Sequence, residues 1–306
     1  MKTHLSSTLM HYLDEVAREG SIRRAAERIN VSPSAVNRQI INLEEQLGVA
    51  LFERQPRGVK LTEAGKIVLD SIRRYNQDTV LAMARIDDLR GLRRGHVSFG
   101  TLLSLGEELV PNVLSALRSE YADISYSHYA GNSEDIVRQI VDGLLDIGVC
   151  WDPPRSTPVC RATTIELRVG ILVPPSHPLA QRTEVTLEDC MHQPCIFPAR
   201  GSEIRYLIER INVGIGATIS PAIETNSIQV AKKLACEGRG IALLPSLSAV
   251  SEIRSGQLVH RPFSGSWSRN LKLAVLFQKG RVLPPVVQMV MARLEESLRE
   301  YMGFLH

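Results

Sequence analysis

No stretch of this chain approaches the ~20 consecutive apolar residues that a membrane-spanning helix needs. The opening MKTHLSSTLM carries one lysine and no long apolar core, so it does not read as an export signal. The five cysteines, Cys150, Cys160, Cys190, Cys195 and Cys236, form no CxxC pair. An odd number at irregular spacing reads as reduced, buried thiols in a cytoplasmic chain. GxSxG, HExxH and Walker loops are missing. Gly214-Ile215-Gly216 and Gly238-Arg239-Gly240 lack the third glycine of a dinucleotide loop, and the eight histidines, His128, His177 and His192 among them, have no ligand spacing. These absences leave catalysis, a bound metal and a cofactor without support. A surplus of charge is missing too: 36 Lys and Arg stand against 33 Asp and Glu, for a net +3 and a pI near 8.6. Nucleic-acid binding is then decided by where the charges fall.

What is present has three textures. With 306 residues, 44% hydrophobic and 23% charged, the chain has room for two or three folded domains and a composition that argues against extensive disorder. Residues 1 to 60 are short helical segments joined by tight turns. Residues 62 to 92 form one long helical pattern. From residue 95 onward short β-rich runs alternate with helical ones.

In the first texture Leu5, Leu9, Leu13 and Val16 make one apolar stripe, stopped by Gly20. Ser21 caps a second helix that turns Ile22, Ala25, Ala26 and Ile29 inward, ending at Asn30. Ser32 caps a third, with Pro33 in its first turn, where a missing N–H costs nothing. This helix is expected to bury Val36, Ile40, Leu43 and Leu47 and to end at Gly48. Two short helices around a tight turn make a helix-turn-helix. The opposite face of the third helix presents Ser34, Asn37, Arg38 and Asn42, side chains that suit base edges and phosphates. Ser21, Arg23 and Arg24 at the start of the second helix suit a phosphate. Residues 51 to 62, LFERQPRGVKLT, read as two short strands around a turn, a wing that carries Arg54, Arg57 and Lys60. One polar residue on a helix face is ordinarily only solvated. The capped turn, the basic wing and the polar face together point to double-stranded DNA, with Ser32, Pro33, Ser34, Asn37 and Arg38 at the reading end.

The run GSIRRAAERINVSPSAVNRQIINLEEQLGVALFER (residues 20 to 54), followed by RGVKLTEAG (57 to 65), resembles the LysR-type transcriptional regulators. The resemblance implies a dimeric winged helix-turn-helix, a linker helix and a C-terminal effector-binding domain like a periplasmic binding protein. It also implies a tetramer built from two dimers on operator DNA, with RNA polymerase as a candidate partner. Two positions depart from the family pattern: Pro33-Ser34 stands where Gln-Pro is frequent, and Asn37 where Ser is usual, while Arg38 fits. The base preference therefore does not carry over.

Thr62 caps the long pattern, which spans roughly 45 Å if wholly helical. Val68, Ile72, Tyr75, Thr79, Ala82, Ile86 and Leu89 alternate at four and three residues, a seam like a coiled coil with a weak centre. Packing on its own domain is the other reading of this helix. Dimerisation is expected, since a helix-turn-helix ordinarily reads a two-fold site.

Beyond residue 95, strand candidates fall at Val97–Gly100, Ile124–Tyr129, Ile147–Val149, Val169–Val173, Cys195–Phe197, Ala222–Thr225, Ile241–Leu244 and Leu271–Phe277. Helical patterns lie between many of them, which predicts an α/β fold with mostly parallel sheets. The expected division is 1–62 for DNA binding, 63–92 for dimerisation and 93–306 for the effector. Within the last, one lobe takes 95–165 and 266–306 and the other 166–265. Ligands sit beyond the carboxyl ends of such strands. The resemblance, in which these loops line the inducer cleft, implies Thr101, Leu102, Ser104, Ser133, Arg200, Ser202, Asn226 and Ser227 as effector contacts; the hydroxyls at helix starts suit a small molecule, an anion among the candidates, with Arg200 as its charge partner. Ser133, Ser202 and Ser227 are also ordinary helix caps. Cys150 and Trp151 follow a strand near this cleft, where a buried thiol is the simpler reading than a redox switch. A solute-binding transport module and an α/β enzyme are the competing classes. Residues 1 to 60 speak against the first, and the missing nucleophile, base or metal constellation against the second.

Overall fold

The computed structural model describes residues 8–56, 58–89, 95–215, 219–265 and 271–305. The expectations at Leu5, Arg57, Leu92 and Gly216 fall outside them. The described residues divide after residue 91 into two compact units. No helix among them is long and apolar enough to cross a membrane.

The first unit contains α1 (Thr8–Glu19), α2 (Ile22–Arg28), α3 (Pro33–Leu47), the strands β1 (Phe52–Gln55) and β2 (Gly58–Leu61), and α4 (Glu63–Leu89). Its breaks come from residues that tolerate the left-handed region: Gly20, Asn30 and Gly48 have φ of 59°, 57° and 68°. Ser21 Oγ accepts the Arg24 amide and Ser32 Oγ the Ala35 amide, which fixes where α2 and α3 begin. Leu13, Val16, Ala25, Ala26, Val36, Ile40, Leu51, Phe52 and Ile72 form the core. Leu47, expected to face inward, is 48% exposed. The last turn of α3 overshoots the core, and Leu51 and Phe52 fill the place instead.

The hairpin β1–β2 pairs Glu53 with Lys60 and Arg54 with Val59. Two contacts fasten it to the helices. The Val59 amide donates to Gly20 O at 2.9 Å. Glu44 Oε1 accepts the amides of Leu51 and Phe52 at 2.7 and 3.1 Å. In α4, Leu69 and Ile72 are buried and Arg73 bonds Asp14 of α1 at 3.0 Å, so its first half packs on its own unit. Farther along, Tyr75 and Ile86 are exposed.

The second unit runs β3 (Gly95–Leu102), α5 (Leu109–Glu120), β4 (Ile124–Gly131), α6 (Ser133–Val141), β5 (Ile147–Trp151), β6 (Val159–Leu167), β7 (Val169–Val173), β8 (Cys195–Pro198), α7 (Glu203–Ile215), β9 (Ile223–Thr225), α8 (Ile228–Cys236), β10 (Ile241–Pro245), α9 (Val250–Arg254), β11 (Val259–Pro262), β12 (Leu271–Gln278) and α10 (Pro285–Leu305). One sheet has the order β4-β3-β5-β12-β6 and the other β11-β7-β10-β8-β9. The expectation of mostly parallel sheets needs correction. β3 is parallel to β4 and β5, and β8 to β9 and β10, while β12 is antiparallel to β5 and β6, and β7 to β10 and β11. The antiparallel ladders arise where the chain changes sheets: between β6 and β7, which only Arg168 separates, and again between β11 and β12. The final helix α10 packs back on the first sheet, where Asn112 Nδ2 of α5 donates to the Tyr301 hydroxyl at 2.8 Å.

His260 on β11 carries a pH dependence. Its Nε2 is buried with no hydrogen-bond partner among the described residues, and burial pushes its pKa down to about 4, with Arg168 and Arg261 adding to the effect. An unfolded imidazole titrates near 6.5. Between those values the unfolded chain holds more protons, so stability falls as pH drops from about 6.5 to about 4, by on the order of 2–3 kcal/mol. His260→Gln is expected to flatten this part of the curve. Urea unfolding at pH 7 and pH 4.5 checks it, and an unchanged pH difference in the variant would show that another group is responsible.

Candidate nucleic-acid interface and ligand cleft

On α3 the side chains of Ser34, Arg38 and Asn42 are exposed and Asn37 is half-buried, while Ser32 and Pro33 are exposed at its start. Arg38 makes no hydrogen bond or ion pair with any described residue, so its guanidinium is available to an incoming acceptor. The cations on α2 differ. Arg23 pairs with Glu27 at 2.9 Å, Arg24 bonds the Glu19 carbonyl and lies 3.7 Å from its carboxylate, and Arg28 bonds Glu19 at 2.9 Å. Exposed pairs of this kind are worth only ~0.3–0.5 kcal/mol, so they yield readily to a phosphate. Arg54 and Lys60 are exposed on the wing, Lys60 directly across the ladder from Glu53. Ser21 accepts the Arg24 amide as a cap, which leaves its hydroxyl proton to donate.

Within the second unit a cavity of about 330 Å³ lies between the two sheets. Its walls come from the carboxyl ends of β3, β4 and β5 on one side, and from β8, β9 and the first turns of α7 and α8 on the other. Leu102, Ser104, Arg200, Ser202, Asn226 and Ser227 line it, together with Leu103, Asn132, Trp151, Ile196, Glu203, Thr225, Ile228, Ala231 and Leu244. Ser202 and Ser227 also cap their helices, accepting the amides of Arg205 and Val230 at 3.2 and 3.3 Å.

Two expected contacts lie elsewhere. Thr101 is fully buried, its hydroxyl 2.9 Å from His128 Nε2. Ser133 is buried and accepts the Trp151 amide at 3.3 Å, and the cap of α6 is Asn132, whose Oδ1 accepts the Asp135 amide at 2.8 Å. Both face the sheet rather than the cavity. Sequence reasoning named Ser133 where its neighbour Asn132 lines the wall. It also overlooked Glu203, three residues after Arg200, although charge at the start of a helix was a readable signal.

Two cations next in sequence to the wall residues Ile204 and Ala231 are already committed. Arg205 is buried, its guanidinium 4.9 Å from the centre of the Phe197 ring and bonded to Glu209 at 2.7 Å and Glu224 at 3.2 Å. Lys232 Nζ lies 3.1 Å from Glu107 and 2.8 Å from Glu252. Burial works to lower the lysine's pKa, but its bonds to Glu252 and Glu107 outweigh it and hold the ammonium charged. Burial pushes the Cys150 thiol up to about 12, so no thiolate forms there near neutrality. Among the described residues no group of three or more His, Cys, Asp or Glu is placed to hold a metal ion.

The matching families and relatives agree with this architecture. The family described as the LysR substrate binding domain matches residues 90–299, and that of the bacterial regulatory helix-turn-helix protein, lysR family, matches residues 7–66. A probable nitrogen assimilation transcriptional activator of Synechococcus elongatus is 30% identical over 275 residues, covering 89% of this chain and 88% of its own. The HTH-type transcriptional regulator CbbR of Cereibacter sphaeroides is 31% identical over 248 residues, 80% of this chain and 79% of its own. Among solved structures, a full-length OxyR variant from Pseudomonas aeruginosa superposes with a TM-score of 0.69 at 20% identity, covering 97% of this chain and 96% of that one. Full-length CbnR complexed with its target DNA gives 0.53 at 22%, covering 94% and 98%. With both of its parts matched and relatives aligned along most of its length, the chain belongs to the LysR family of bacterial helix-turn-helix regulators.

Proposed function

We propose that this protein is a transcription regulator that binds operator DNA through α3 and the wing as a homodimer or a dimer of dimers, and that a small effector in the cleft sets its activity. The observation that carries the reading is that one chain joins an exposed, polar α3 face to a domain holding a cleft of ligand size. The division of labour is 1–62 for DNA, 63–92 for dimerisation and 93–306 for the effector. Relatives named as transcriptional activators and regulators support a non-catalytic role. The exposed Tyr75 and Ile86 on the seam of α4 support a second copy as partner. Ligand closure of the lobes would shift a population of assemblies, changing the spacing of the DNA-reading heads and the access of RNA polymerase.

Footprinting on the DNA upstream of the protein's own gene tests the first half. Protection of a two-fold site, with affinity falling steeply as salt rises, is expected. A monomer at micromolar concentration in analytical ultracentrifugation would end the dimer reading. For the second half, a thermal-shift screen of small metabolites should yield a compound that raises the melting temperature of the full chain. Arg200→Ala should weaken that compound about tenfold or more, the loss of one charge-assisted contact. A full response in the variant would remove Arg200 from the site.

A further inference from the structure

The cations of α1 and α2 are matched one for one by carboxylates. The two helices carry Arg18, Arg23, Arg24 and Arg28 beside Asp14, Glu15, Glu19 and Glu27. Each of these eight side chains stands in an ion pair with another of the set. In a helix-turn-helix the helix before the recognition helix crosses the phosphate backbone, and here that helix is α2. Its face therefore brings no surplus charge to DNA until a pair opens.

Glu19 joins two of these arginines. It is the last residue of α1, two before the cap Ser21. Its carbonyl oxygen accepts Arg24 Nη2, and its carboxylate lies 3.7 Å from Arg24 Nε and 2.9 Å from Arg28 Nη1. The side chains of Arg24 and Arg28 are 63% and 55% exposed and that of Glu19 only 22%, so the carboxylate holds both from the protein side. Arg28 has a second anchor. Its Nε lies 3.5 Å from Glu15 Oε2, a buried oxygen with no hydrogen bond among the described residues. Drawing Arg28 away would take the counter-charge from that buried oxygen, which costs more than opening an exposed pair. A single exposed pair such as Arg23–Glu27 yields to a phosphate readily. Arg24 and Arg28, each held at two points, yield less.

We infer that Glu19 restrains Arg24 and Arg28 and thereby limits the sequence-independent affinity of this protein for DNA. While the carboxylate keeps the two guanidiniums, their phosphate contacts, and the counterions those contacts would release, are missing from the binding equilibrium. The electrostatic pull then falls on α3 and the wing, which also carry the reading side chains. The inference rests on the DNA-binding reading above and adds a residue to it.

The test uses the full chain and fluorescence anisotropy on a scrambled duplex, where affinity comes from the backbone. Glu19→Gln should bind this DNA about threefold or more tightly per protomer at 0.15 M salt, and its salt slope should steepen by about one per protomer. Glu19→Asp keeps the charge and draws it back from Arg28, so it should give part of the gain. When Arg24→Gln and Arg28→Gln are already present, adding Glu19→Gln should change neither affinity nor slope. A gain of full size in that background would show plain repulsion between Glu19 and the phosphates, and would overturn the restraint. So would unchanged binding in Glu19→Gln, or weaker binding with a shallower slope, which would make Glu19 an aid to the arginines. Absence of any binding by the unaltered protein, to scrambled and operator DNA alike at low salt, would overturn the DNA-binding reading itself.

Discussion

Arg38→Ala is expected to abolish specific operator binding at physiological salt while leaving the fold intact. The side chain lies on the exposed face of α3 in the first half of the helix, and no described residue competes for its guanidinium. A bidentate contact between Arg and guanine discriminates by ~1–3 kcal/mol. A two-fold site loses it twice, so the expected loss is ~2–6 kcal/mol, roughly 30-fold to 10⁴-fold in affinity. Truncating an exposed side chain with no partner should change stability by less than ~0.5 kcal/mol. Arg23→Ala is the useful contrast. Arg23 is already paired with Glu27 and sits at the start of α2, so its loss should weaken binding to all sequences alike and lower the salt slope by about one per protomer. Fluorescence anisotropy on the footprinted fragment and on scrambled DNA separates the two. Equal losses on both DNAs for Arg38→Ala would make it a phosphate contact, and unchanged affinity would remove it from the interface.

The elements of the first unit were legible because their signals are local. Ser21, Ser32, Gly20 and Gly48 act within four residues of themselves, and each cap and stop forms where the sequence places it. The core pattern failed at Leu47, because whether the last turn of a helix reaches the core depends on where the following chain goes. In the second unit the strands buried on both faces, such as Val169–Val173 and Ile241–Pro245, stand out as continuous apolar runs. β6 and β11 did not. β6 is an edge strand that alternates buried and exposed positions and carries Arg161 and Glu166, and β11 is four half-buried residues ending in proline. Those two are antiparallel strands at the points where the chain changes sheets, and without them nothing in the pattern showed that β7 and β12 run against β10 and β5. In the cleft, the loops were recognisable from hydroxyls at helix starts. The choice between Asn132 and Ser133 depends on cap geometry, and the pairing of Lys232 with Glu107 spans 125 residues. Neither can be read from spacing.

The second large effect is expected at Gly65, and it explains a glycine that sequence pattern alone left as part of a motif. Gly65 lies in the first turn of α4, where alanine is ordinarily preferred by ~1 kcal/mol. Here a Cβ would sit 2.1 Å from the carbonyl oxygen of Leu51 and 2.9 Å from a methyl of Leu61. The first obstacle is backbone and cannot rotate away. The same Leu51 oxygen accepts the Thr62 amide at 3.0 Å, and Thr62 Oγ1 joins the Gly65 amide to Ala50 O, so moving α4 aside breaks the joint between wing and helix. Overpacking of this kind costs ~1–3 kcal/mol or more. Together with the severed bonds it exceeds the gain in helix propensity, for a net loss of about 3 kcal/mol. For a unit of 60–100 residues that lowers the melting temperature by roughly 12–24 °C, and with it DNA binding at 37 °C. Gly303→Ala is the control, since nothing lies within 4 Å of a Cβ there. It should leave stability unchanged or slightly raised. Hydrogen exchange on the full chain reads the two units separately. Gly65→Ala should lose protection across α1 to α3 while β3, β5 and β10 keep theirs. Protection in the first unit equal to that of the unaltered protein would mean that the joint at Leu51 relaxes at little cost, and that the glycine answers to something other than this close approach.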